Sequence, residues 1–256
     1  VMPSIGSKEL ISFLPLLLGL GKGDVIVQPT VAYTAYVVGA AFVDAEIINE
    51  DDPAKWPANT KLVWLNSPGN PDGRVLEVAE MKAAVDRARE LGALLASDEC
   101  YAELGWDDWY DKLIPSVLDP RVCGADHTNL IALYSLSKQS NMAGHRAAFA
   151  AGDQKLIKSI VNLRMHAGLN TPGPVQKVMA VALGDYEHVA VEREREFAVA
   201  TLHLADHDVA GCADEDAGGG EGQGDGEEAV DGAGADRSLQ LQLHEGAREF
   251  DAVTDL

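Results

Sequence analysis

Short apolar runs separated by amphipathic stretches organise the first two hundred residues. Runs at Asp24–Gln28, Phe42–Ile48, Lys61–Leu65, 93–97, 130–135 and 145–151 have the length of strands. Between them, helices are predicted over 8–20 (stopping near Gly21), 33–41, Glu77–Leu91, from Asp153 to about Ala167, 175–183 and 185–196. In Glu77–Leu91, Met81, Val85, Ala88 and Leu91 share one face. Asp51–Asn59, with Pro53 and Pro57, reads as a polar loop, and a longer loop carries Trp106, Trp109 and Tyr110. Strands alternating with helices predict an α/β domain with a mainly parallel sheet. Gly19–Asp24 superficially resembles a nucleotide-binding loop, but it precedes a strand instead of following one and reads as a helix stop and turn.

The pattern fails near Phe197. Residues 201–256 hold 15 acids and two arginines, −13 of the chain's net −21, with no apolar periodicity. The expected division is therefore a folded domain over 1–196 and an acidic, Gly-rich tail over 197–256, disordered by composition. The abrupt change in mid-helix motivates the hypothesis of out-of-frame translation, a frameshift near codon 197, with a genuine acidic tail as the competing reading. Resequencing tests the frameshift: neighbouring frames that encode no second folded domain would sink it. His203 and His207 are spaced like a helical metal pair but lack the accompanying glutamate, so no metal is expected. The negative charge argues against nucleic-acid or anionic-membrane binding. Cys100, Cys123 and Cys212 have neither disulfide nor metal spacing, which fits a reducing cytoplasm. No signal peptide is visible, and the apolar stretch Leu10–Leu20 is too short to span a bilayer.

Chemistry concentrates after the strands. Ser135-Leu136-Ser137-Lys138 follows the run Leu130–Leu133, and Arg146 stands eight residues beyond the lysine. A lysine flanked by hydroxyls, with an arginine at fixed distance, suits an imine-forming site for a phosphorylated aldehyde cofactor. Upstream, Asp98 and Tyr101 follow the run Ala93–Ala96, Asn70-Pro71-Asp72-Gly73 follows the run Lys61–Leu65, and Gly6-Ser7-Lys8 opens the first helix. Carboxyl ends of strands and helix N-termini are where such sheets bind ligands and phosphate.

In this order the four motifs resemble those of the fold-type-I pyridoxal-phosphate (PLP) enzymes, specifically the class I/II aminotransferases, over roughly residues 1–196. Asp72 stands where that family usually has threonine. The resemblance implies a three-layer αβα large domain and gives each motif a role. Lys138 forms the internal imine and then shuttles the proton. Asp98 pairs with the pyridine nitrogen, and Asn70 and Tyr101 hydrogen-bond the phenolic oxygen. Gly6, Ser7, Lys8, Ser135, Ser137 and Arg146 surround the phosphate. Tyr33 is the candidate to stack on the ring, with Tyr36 its competitor; His145 is expected to fill a strand and has no role. Partners implied are an amino acid, a 2-oxo acid such as 2-oxoglutarate, and a second copy of the chain.

The string Ser135–Gly152 is similar to that of actinobacterial N-succinyldiaminopimelate aminotransferases of lysine biosynthesis, with Lys8, Arg164 and His166 as candidates to meet an acidic substrate. An aspartate/aromatic transaminase, a β-lyase and a catalytically dead PLP-binding fragment are the alternatives. On the resemblance, the chain begins about where the family's first phosphate-binding helix begins, without the usual N-terminal arm. Neither Arg237 nor Arg248 lies in the family's motif for the substrate carboxylate.

Overall fold

The structure, a computed structural model, describes residues 1–196. The stretch read as an acidic tail, with His203, His207, Arg237 and Arg248, lies outside the described residues. In chain order the elements are β1 (Met2–Ile5), α1 (Ser7–Leu17), β2 (Val25–Gln28), α2 (Ala35–Phe42), β3 (Glu46–Asn49), β4 (Thr60–Asn66) and α3 (Val78–Leu91). They continue with β5 (Leu94–Asp98), α4 (Pro120–Cys123), β6 (Leu130–Ser135), α5 (Leu136–Gln139), β7 (Ala147–Gly152), α6 (Gln154–His166) and α7 (Gly173–Leu183). A further helix covers 186–196.

The strands form one sheet in the order β1-β7-β6-β5-β4-β2-β3. From β3 to β6 all neighbours are parallel, whereas β7 runs antiparallel to both β6 and β1. The expected α/β class and mainly parallel sheet are thus observed. Alternation within the apolar runs builds the three layers. Leu62 and Trp64 of β4, Ala96 of β5 and Ile131 and Leu133 of β6 pack with α1, α2 and α6 through Leu10, Ile11, Leu14, Tyr36, Ile157 and Ile160. Val63, Leu65, Leu95, Leu130 and Ala132 point the other way, onto Met81, Val85 and Ala88 of α3 and Val122 of α4.

Local chemistry sets the boundaries. In α3, Glu77 and Glu80 form a capping box and Gly92 closes the helix in the left-handed conformation. Asp153 caps α6, as its sequence suggests, by accepting from the Lys155 and Leu156 amides. Gly21–Asp24 is a turn between α1 and β2 closed by its own hydrogen bonds, in keeping with a helix stop. Gly39 permits close approach of α2 to α1: a Cβ there would lie 3.0 Å from the Ser12 carbonyl oxygen.

Several expected boundaries move. Phe42 ends α2 instead of opening a strand, because Asp44 turns the chain at φ 52° and β3 begins at Glu46. Helix α2 starts at Ala35, which leaves Tyr33 in the preceding loop. Helix α1 stops at Leu17. His145 belongs to the 3-10 turn Ala143–His145 and is exposed; it does not fill β7. Strand β1, absent from the sequence reading, exists through its pairing with β7.

Candidate active site

The carboxyl ends of β4, β5 and β6 bring Asn66, Asp98 and Ser135 to one edge of the sheet. Pairing of β4 with β5 sets Asn66 directly opposite Asp98. Above this edge lies a cavity of about 260 Å3 lined by Ser7, Lys8, Tyr33, Asn66, Asn70, Asp98, Cys100, Tyr101, Ser137, Lys138, Ala143 and Arg146. Nine of those twelve are residues the sequence had singled out. Of the remaining two candidates, Gly6 touches Arg146, and the Ser135 hydroxyl sits 3.0 Å from that of Ser137.

One end of the cavity is built for an anion. Helix α1 begins at Ser7 after Gly6, and among the described residues no side chain caps its first turn. Its amides and positive dipole end are therefore free to receive negative charge. Gly6 has φ 76°, and a Cβ on it would lie 2.0 Å from an Arg146 guanidinium nitrogen. Glycine alone lets the guanidinium rest there. Arg146 is itself left-handed at φ 52°, and its carbonyl accepts from the Gly6 amide at 2.9 Å. A non-glycine residue in that conformation is costly and clusters at functional sites. Ser135 caps α5 by accepting from the Ser137 amide at 3.2 Å, which fixes both hydroxyls near the same corner.

Other parts of the lining are acidic and aromatic. Asp98 is 4% exposed. Its carboxylate accepts from the Cys100 amide at 3.3 Å and from the Tyr36 hydroxyl at 3.2 Å. Burial pushes the Asp98 carboxyl up to about 6, against the lowering effect of these two donors. Tyr36 is fully buried, stacked on Trp64 at 4.8 Å, and its hydroxyl is held well above its ordinary value by burial and by the Asp98 charge. Tyr36 therefore does not compete with Tyr33 for the cavity; Tyr33 lines it and meets Tyr36 edge-on at 6.0 Å. The Asn70 side-chain amide donates to the Tyr101 hydroxyl at 3.3 Å, placing both at one wall. Burial pushes Tyr101 up to about 12, so it stays a neutral phenol. Lys138 is exposed and its Nζ lies 5.9 Å from the centre of the Tyr101 ring.

Asn66 and Cys100 carried no role in the sequence reading, and Tyr36 carried a different one. Asn66 donates to the Asp98 carbonyl at 3.0 Å and accepts from the Asn70 amide at 2.8 Å, joining two motifs. Its signal was its place at a strand end inside the Asn66–Gly73 turn. Cys100 lines the cavity, its thiol pushed up to about 12 mainly by burial, and the contact of Tyr36 with Asp98 spans 62 positions. Of the candidates for an acidic substrate, Arg164 is 2% exposed and locked in a bidentate pair with Glu9, outside the cavity. His166 is exposed on α6 and does not line the cavity either.

The donor set fits a phosphorylated pyridine aldehyde: one cavity brings together an anion cradle, a buried carboxylate, a primary amine and two side chains suited to donate to a phenolic oxygen. The family model for aminotransferase class I and II matches residues 1–204. A probable aminotransferase, Rv1178, of Mycobacterium tuberculosis is 46% identical over 196 residues, covering 76% of this chain and 46% of that protein. The 4-dedimethylamino-4-oxo-anhydrotetracycline transaminase OxyQ of Streptomyces rimosus is 45% identical over 196 residues, covering 76% of this chain and 54% of that protein. The solved structure of a probable N-succinyldiaminopimelate aminotransferase from Thermus thermophilus superposes with a TM-score of 0.66 at 28% identity, over 75% of this chain and 53% of that one. This chain thus spans about half the length of the relatives it matches. From the family match, the identities and the converging side chains, the chain belongs to the class I and II aminotransferases, enzymes that use pyridoxal phosphate.

Proposed function

We propose that the chain binds PLP at the cavity below Arg146 and moves an amino group from an amino acid to a 2-oxo acid such as 2-oxoglutarate. The observation that carries this reading is the convergence of Lys138, Asp98, Asn70, Tyr101 and Arg146 on one cavity. The bound cofactor would supply an electron sink for the bond broken at the substrate's α-carbon. Lys138 would hold its aldehyde end covalently and, once displaced by substrate, carry the proton on its free amine. Asp98, ionised, would keep the pyridine nitrogen protonated. Asn70 and Tyr101 would donate to the phenolic oxygen, and Tyr33 would cover the ring face. Gly6, Ser7, Lys8, Ser135, Ser137 and Arg146 would hold the phosphate, Arg146 in bidentate fashion. Residues 1–196 form the cofactor-holding domain of this proposal, and a homodimer, in the cytoplasm, is its expected assembly.

N-succinyldiaminopimelate, in lysine biosynthesis, is the finer reading of the donor. It is supported by the string Ser135–Gly152 and by the Thermus thermophilus relative. Arg164 no longer supports it, since Glu9 occupies that guanidinium. A second reading is cofactor binding without turnover. A larger cavity of about 790 Å3 adjoins the first at Asn70, Tyr101, Ser137 and Lys138. Asp107, Asp108 and Glu196 line it, and Lys138 is its one cation among the described residues, leaving a substrate carboxylate without a second partner.

The test is the visible spectrum of the full chain with added PLP, beside Lys138→Ala. The transaminase reading expects a lysine-dependent band that an amino donor bleaches, and glutamate compared with N-succinyldiaminopimelate ranks the donors. A band that no donor bleaches favours the second reading. Absence of any lysine-dependent band rejects both.

A further inference from the structure

We infer that Tyr36 is the positioning residue for Asp98: it fixes the carboxylate's orientation and keeps it ionised, and acts on the cofactor only through it. This inference rests on the PLP reading of the cavity. Tyr36 lies wholly inside the protein, and its hydroxyl points at Asp98 Oδ2. Its ring is clamped between Trp64, stacked at 4.8 Å and 15°, and Tyr33, edge-on at 6.0 Å and 87°. A phenol so held cannot swing away from the carboxylate. Because burial and the Asp98 charge keep its proton bound, it presents a donor at every working pH.

The need for such a donor follows from Asp98's surroundings. A carboxylate 4% exposed loses its hydration and tends to take up a proton. A protonated Asp98 could not hold a proton on a pyridine nitrogen. Around it stand Tyr33 and Tyr36 from the loop and helix before β3, Glu99, Cys100 and Tyr101 from its own segment, and Lys138 across the cavity. Glu99 turns its own carboxylate to the Val117 amide at 2.8 Å, and Lys138 is reserved for the aldehyde end. Among the described residues two donors to the Asp98 carboxylate are found, the Cys100 amide and Tyr36, and Tyr36 is the side chain of the pair.

Tyr36→Phe keeps the stacked ring and removes the hydroxyl. Losing a hydrogen bond to a charged group should weaken PLP binding about ten-fold or more. The acid limb of the binding profile should move to higher pH, since the carboxyl then protonates more readily. Both quantities are read from titrations of the lysine-dependent visible band in the full chain. In an Asp98→Asn background, Tyr36→Phe should add little, because its target has gone. Unchanged affinity and acid limb in Tyr36→Phe would overturn the inference while leaving PLP binding intact. An equal loss in both backgrounds would also overturn it, since it would mark a packing role. A wild-type chain with no lysine-dependent band overturns the PLP reading and this inference with it.

Discussion

A carboxyl group with 4% of its surface exposed is held against its own hydration, and Asp98 bears that cost in the folded chain. Folding lifts it from 3.8 to about 6, so between those values the folded state binds more protons than the unfolded one. Its contribution therefore becomes less favourable as pH rises through that window. Glu99, pushed up to about 7 by burial, acts in the same sense. Asp98→Asn should then stabilise the cofactor-free chain by about 3 kcal/mol at pH 8 and by less than about 1 kcal/mol near pH 4. Denaturant titrations at the two pH values check this, and a variant less stable at pH 8 would contradict it. The same variant should bind PLP measurably but more weakly than wild type, a trade of stability for chemistry seen at many sites. Asp98, Lys138 and Arg146 were legible because each belongs to a short motif in a fixed order. The Tyr36 hydroxyl was not, since its contact arises where β5 and α2 meet in space and no local pattern encodes it.

At the scale of elements, α6 is tied to α1 by one ion pair. Arg164, with its side chain 3% exposed, forks onto both oxygens of Glu9 and also donates to the Leu169 carbonyl. Removing one member leaves a charge in poor solvent, so Arg164→Ala should cost about 3 kcal/mol. Pairing it with Glu9→Gln should recover part of that loss, because no unpaired charge then remains. Thermal melting of the two variants tests the point; an Arg164→Ala protein as stable as wild type would show that packing alone holds α6. Strands β4, β5 and β6 could be read from sequence because parallel strands buried on both faces are continuous apolar runs. Strand β1 could not: its four residues include Pro3, and its pairing with β7 is supplied from 142 to 148 positions away. The end of α2 was misread because Phe42 and Val43 continue the apolar run, whereas the turn at Asp44 depends on backbone conformation.

Across the whole molecule, several large apolar side chains remain on the outside. Leu163 and Met165 on α6 are each about half exposed, and Val181 on α7, Tyr186 and Val191 are exposed by 75%, 73% and 62%. Apolar surface of this kind marks association or aggregation. With the proposed dimer in mind, light scattering on the full chain should give a mass above the 27.2 kDa of one copy, and a monomer at micromolar concentration would contradict that expectation. No helix among the described residues is long and apolar enough to cross a membrane.

The central claim is that one amine, that of Lys138, holds PLP in the cavity beneath Arg146. The most direct measurement is to reduce the PLP-loaded full chain with borohydride and map the modified lysine by peptide mass spectrometry. The account predicts a single phosphopyridoxyl group, on Lys138. A group on Lys8 or on any other lysine, or no stable modification, would contradict it.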